Sequence, residues 1–272
     1  MKSEKIELDF IDENKKFIDF TQKNIDLICF CVSVDSSYRN AFNAEYLGST
    51  AELITKHWKF NREYLTRLCE QISKENSTHL AVSGNKKNDK NTDNGNIETN
   101  KGVELVVDKI LSIEDFENKL ESANLDLVNE IAGCVAGVSK FSFASKFCSY
   151  VSRYRFKNNN AYSIYDKVIS EILPYYEWAF LHTTNYVRQK RNKTKDNVST
   201  IADIFAKKGS FDYAGYNELI NEIIQAINTE RNLEIDRTIF DRVLWYYYKG
   251  DAQLRQDALN TIQINCERKE NS

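Results

Sequence analysis

Apolar residues recur at helical spacing through most of this chain, and that pattern sets the expected fold. Phe17, Ile18, Ile25, Ile28 and Cys29 fall on one stripe. Leu53, Ile54, Trp58, Tyr64, Leu65 and Leu68 fall on another, so residues 14–73 read as two or three helices. Ser33-Val-Asp-Ser-Ser-Tyr38 separates the stripes with good N-cap residues. Leu105–Leu111 fits a short helix or a strand, and Ser112-Ile-Glu-Asp115 reads as a capping box opening a helix through Leu120. Leu125–Val135 predicts another helix, ended by Gly137-Val-Ser139. Ser142 or Ser145 then opens a helix with Phe147, Cys148, Val151 and Tyr154 on its apolar face. Lys146, Tyr150, Arg153 and Lys157 follow helical spacing on a different face, and Asn158-Asn-Asn160 breaks the helix. A further helix begins near Ile164 and meets Pro174 beyond Leu173, where it kinks or restarts. Ile201–Ala206, Tyr213–Ile227 and Asp236–Tyr248 complete the set, the last with Asp236 as N-cap and Gly250 as C-cap.

The pattern stops between Asn76 and Gly102. Gly84-Asn-Lys-Lys-Asn-Asp-Lys-Asn-Thr-Asp-Asn-Gly95 has no apolar residue, so it buries too little to offset its ordering entropy. Residues 77–102 are therefore expected to form a disordered insertion within one domain spanning 1–272. Pro174 is the only proline, and glycine is scarce, which argues against a sandwich or barrel rich in Gly/Pro turns. The expected class is all-α.

Composition narrows the chemistry. A formal net charge of -3 means that any nucleic-acid contact must come from a local basic face. Cys29, Cys31, Cys69, Cys134, Cys148 and Cys266 lie in apolar helical patterns with no C-x-x-C pair, and only His57, His79 and His182 accompany them. No metal site and no cofactor are expected, and the thiols read as buried and reduced in a cytoplasmic protein. The apolar run near Ile25–Val34 is too short to span a bilayer, and the charged start lacks an apolar signal core. No membrane association is expected.

One segment departs from this even charge mixture. No acid lies between Glu130 and Asp166, while Lys140, Lys146, Arg153, Arg155 and Lys157 all do. Leu125–Ala136, the connection Gly137–Ser145 and the Lys146 helix resemble a helix-hairpin-helix. Over roughly 125–173 the chain resembles the core of the 8-oxoguanine DNA glycosylase family, within the helix-hairpin-helix glycosylase superfamily. Closer still are compact bacterial proteins with a Ser-Lys-Phe-x-x-Tyr/Phe…Pro-Ile-Tyr-Asp signature, which Ser145-Lys-Phe-Cys-Ser-Tyr150 matches and Ser163-Ile-Tyr-Asp166 follows except that Ser163 replaces the proline. Several of those sit in antiphage-defence operons, including ones signalling through cyclic oligonucleotides.

The resemblance implies a helix-hairpin-helix glycosylase fold and a DNA N-glycosylase with AP-lyase activity on a damaged or modified purine. Lys146 matches the family's catalytic lysine and Asp166 its catalytic aspartate. In such a reaction the amine attacks the sugar's anomeric carbon, and the carboxylate stabilises the developing positive charge. The attacking amine has to be neutral, so such a site needs burial and neighbouring cations around its lysine. The partner implied is DNA, including modified phage DNA, with protein partners drawn from a defence operon. The family's hairpin carries Gly-Val-Gly where this chain has Ser142-Phe-Ala144, so phosphate contact is expected through Ser142, Ser145 and Lys140. Arg153, Arg155 and Lys157 extend that basic surface, and Tyr150, Tyr162, Tyr165, Tyr175, Tyr176 and Trp178 are candidate walls for a flipped base. Arg188–Lys195 is a second basic run, and Trp245–Tyr248 reads as core packing plus interface. Two alternatives stand beside the glycosylase: a catalytically inactive module of the same fold that binds nucleic acid, a nucleotide or a partner protein, and an enzyme acting on free or tRNA-borne modified bases.

Overall fold

The structure, a computed structural model, describes residues 8–34, 49–76, 80, 95–134, 140–183, 206–207 and 210–248. In chain order its helices are α1 (Gln22–Val34), α2 (Thr50–His57), α3 (Arg62–Asn76), α4 (Gly95–Ser112), α5 (Phe116–Glu121) and α6 (Asp126–Ala132). These are followed by α7 (Phe141–Arg155), α8 (Lys167–Leu181), α9 (Tyr213–Arg231) and α10 (Arg237–Tyr248). Strands β1 (Ala206–Lys207) and β2 (Ser210–Phe211) form a two-residue antiparallel pair before α9. The protein is predominantly helical, as the apolar spacing predicts. Two compact units emerge: a middle unit, Asp35–Tyr165, and a terminal unit, Met1–Val34 with Asp166–Ser272.

In the middle unit, Ser49 opens α2 by accepting the Glu52 N–H on its hydroxyl. Tyr64 of α3 donates its phenol proton to the Leu53 carbonyl, locking α2 to α3. Helix α7 is the hub, packed by α2, α3, α5 and α6. Phe143 through Val151 are buried without a break. Phe147 meets Phe116 of α5, and Leu65, Leu68, Val128 and Ile131 fill the same core.

Two local expectations are corrected here. Ser112 does not open α5: its hydroxyl donates to the Lys109 carbonyl and closes α4 instead. Asp115, in the left-handed region at φ 56°, takes the N-cap position without a side-chain cap. Helix α7 starts one turn earlier than Ser145, because the Ala144 N–H already reaches the Lys140 carbonyl. Lys140 is its N-cap, and Ser142 and Ser145 lie inside the helix. Of the insertion expected over 77–102, Leu80 is buried and α4 begins at Gly95. The remaining residues of that stretch lie outside the described residues. Gly102 of α4 touches the Leu80 carbonyl so closely that a Cβ there would collide with it.

The terminal unit joins the two ends of the chain. Helix α1 packs on α10, α8 packs on α9 and α10, and α9 also meets α10. Asn24 holds the segment before α1: its amide donates to the Asp9 and Asp19 carbonyls, and its oxygen accepts from the Asp9 N–H. The phenols of Tyr176 and Tyr248 lie 3.0 Å apart and share the backbone oxygens of Ile18 and Lys16. The Asp166, Asp212 and Asp236 carboxylates cap α8, α9 and α10 through the N–H groups of Ile169, Gly215 and Ile239. Pro174 sits inside α8 without ending it.

Candidate functional site

Helix α7 is acid-free, and its polar residues do not share one environment. Lys146 is only 6% exposed, and its Nζ donates to the Ser142 hydroxyl one turn back at 3.2 Å. Lysine is seldom buried this deeply, because removing an ammonium from water is costly unless polar groups receive it. Ser145 is fully buried, and its hydroxyl accepts the Tyr165 N–H at 2.9 Å. That bond fastens the last residue of the middle unit to the second turn of α7. Tyr150 donates to Asn76 Oδ1 at 2.7 Å, which positions its ring against α3.

Arg153 is 7% exposed, with its guanidinium 5.8 Å from the Tyr150 ring centre and 5.9 Å from that of Tyr154. Its Nε and Nη1 have no hydrogen-bond partner, and both rings lie within cation–π range of it. Arg155 and Lys157 are exposed, and Lys157, at φ 59°, donates its amine to the Tyr154 carbonyl. Lys140 and Ser142 are half-buried at the start of α7. The face read from sequence as a single polar stripe therefore divides in two: Lys146, Tyr150 and Arg153 are buried, and Lys157 meets solvent.

Asp166 belongs to the terminal unit and Lys146 to the middle unit. Asp166 is 7% exposed, and one carboxylate oxygen accepts the Ile169 N–H at 2.9 Å. That contact makes it the N-cap of α8, where a negative charge also favours the positive end of the helix dipole.

Other candidates occupy core positions. Cys148 is fully buried, and burial pushes its thiol far up, which disfavours a thiolate nucleophile. The Tyr162 phenol reaches the carbonyls of Lys119 and Asn124, and Tyr176 belongs to the phenol pair with Tyr248. Arg188–Lys195, Asp35 and Ser36 lie outside the described residues. Among the described residues no cluster of three His, Cys, Asp or Glu side chains could hold a metal, and no helix is long and apolar enough to cross a membrane.

Sequence reading passed over Glu177, a buried acid of α8. The signal was available: Leu173, Phe180 and Leu181 share its helical stripe, so an acid there is placed among apolar neighbours.

Comparison with known proteins adds a relationship without a chemistry. Residues 42–155 match the family HI_0787_N, described as an N-terminal domain. That span contains Lys140, Ser142, Ser145, Lys146, Arg153 and Arg155 and stops before Lys157 and Asp166. A Haemophilus influenzae protein described as uncharacterized is 31% identical over 77 residues, covering 27% of this chain. The match covers 35% of the length of that protein. No solved structure matches the chain.

Proposed function

We propose that the protein is a DNA N-glycosylase with AP-lyase activity on the helix-hairpin-helix glycosylase fold, acting on a damaged or modified purine. The observation that carries this reading is the buried Lys146 amine on an otherwise acid-free helix, received by the Ser142 hydroxyl. In the proposed reaction Nζ bonds to the sugar C1′ as the glycosidic C–N bond breaks, and the base leaves with the bonding electrons and takes up a proton. Breaking C1′–O4′ opens the ring to an imine; loss of a C2′ proton then forms C2′=C3′ as the C3′–O bond breaks and the 3′ phosphate leaves with its electrons. Asp166 would stabilise the positive charge that develops on the sugar. Lys140, Ser142, Arg155 and Lys157 would meet backbone phosphates, since they are the more accessible members of the basic segment. Supply of modified phage DNA by infection, and partners from a defence operon, belong to the same proposal.

Borohydride trapping on duplexes carrying oxidised or alkylated purines, or on modified phage DNA, tests it. A covalent adduct is expected with the native protein and none with Lys146→Ala. Absence of both adduct and base release across that panel would sink the reading.

The engagement of Asp166 as a helix cap favours a second reading, a module that binds nucleic acid without chemistry. In that case Lys146→Ala retains salt-dependent DNA binding and the biological effect, while charge removal at Arg155 or Lys157 weakens both.

A further inference from the structure

A cleft of about 590 Å³ opens in the terminal unit between the C-terminal half of α8 and the last turns of α9. Its walls combine three carboxylates, Glu177, Glu222 and Glu230, with apolar Phe180, Leu219 and Ala226 and the neutral polar Thr183, Gln225 and Thr229. Among the described residues no lysine or arginine lines it. Arg231 stands nearby, 5.4 Å over the Phe180 ring, but its Nε bonds Asp19 at 3.0 Å and its Nη1 lies 3.9 Å from Glu230. The exposed His182 completes the charged and titratable groups of the rim.

Glu177 is the anomaly of this cleft. It is 1% exposed; Oε1 accepts the Thr183 hydroxyl at 2.7 Å, while Oε2 has no partner. Burial pushes its carboxyl up to about 7, against the pull of the Thr183 hydrogen bond and with the Glu222 charge adding to the rise. A buried carboxylate oxygen with no donor is costly, and such groups mark places where a ligand supplies the missing donor. A compact metal ion needs oxygens that converge, and no such cluster exists among the described residues. Carboxylates separated by apolar side chains instead suit a chain of methylenes carrying spaced ammonium groups.

We propose that the cleft between α8 and α9 binds a short aliphatic polyamine, with one ammonium donating to Glu177 Oε2, a second facing Glu222, and the methylenes lying on Phe180 and Leu219. The site is independent of any reaction at Lys146. Calorimetric titration of the 272-residue, nucleic-acid-free protein with spermidine tests it, with 1,8-octanediol as the uncharged probe. Saturable binding of spermidine and none of the diol is expected. Affinity should rise about tenfold from pH 6 to pH 8 as Glu177 ionises. It should fall about tenfold in Glu177→Gln, which loses a charge-assisted bond, and about threefold in the exposed Glu222→Gln. Absence of saturable binding overturns the proposal, and so does a spermidine affinity equal in native and Glu177→Gln protein. Should Glu177→Gln fail to fold by circular dichroism, the pH series and Glu222→Gln decide: an affinity unmoved by both rejects the site.

Discussion

The middle unit is one continuous stretch of chain packed on α7, whereas the terminal unit brings residues near Ile18 to Tyr176 and Tyr248 across most of the sequence. In the first, stability rests on aromatic and aliphatic side chains from helices close in sequence. In the second, polar fasteners hold distant segments in register: the two phenols, the Asn24 amide and the Arg231–Asp19 pair. Buried charge differs as well. Helix α7 buries cations beside a hydroxyl and aromatic rings, and α8 buries an acid with one oxygen left over. An arginine cannot shed its charge at any physiological pH, so ring faces must compensate it, while a glutamic acid can neutralise itself.

That contrast can be broken from either side. Phe147→Ala at the hub of the middle unit should cost about 3–5 kcal/mol, read from denaturant unfolding, because it empties a fully buried aromatic site. A loss below about 1 kcal/mol would mean that α7 is not the hub. Glu177 predicts a pH signature in the terminal unit. Its folded-state carboxyl is raised from 4.5 to about 7, so the folded protein binds a proton that the unfolded chain releases between those values. The Glu177 contribution to stability should therefore be fully present below about pH 4.5, fall by about 3 kcal/mol as pH rises to about 7, and stay level above. Glu177→Gln should flatten that fall, and an unchanged slope would reject the assignment. The smallest effect concerns the phenol pair of the terminal unit. Tyr248→Phe should cost about 1–2 kcal/mol, since the Ile18 N–H and the Tyr176 phenol each lose a buried partner.

Much of this was legible in the sequence where one physical signal dominates. The stripes through Leu53–Leu68 and Tyr213–Ile227 became helices, and Asp236 caps α10 through the Ile239 N–H. Reading failed where two signals competed. Ser112 could bond forward as a cap or backward to a carbonyl, and the left-handed Asp115 that follows decides for the latter. Helix α7 misled most: its period-3.6 pattern separates polar from apolar residues, but packing by four other helices buries every residue from Phe143 to Arg153, polar ones included. Lys146 was therefore visible as a candidate, whereas its burial was not. Glu177 could have been found from its apolar helical stripe, whereas the oxygen left without a donor shows only in the packed structure.

The division of the chain also constrains how the protein can be made. Translation releases the N-terminal segment first, yet its partner Tyr248 leaves the ribosome 230 residues after Ile18. The middle unit has all its own residues within Asp35–Tyr165 and can begin to fold while synthesis continues. Phe17, Ile18 and Phe20, all destined for burial, must wait through that interval with their apolar surface uncovered. Chaperone dependence during synthesis should accordingly concentrate on the first segment, and a circular permutant that places it after α10 should shorten that exposure.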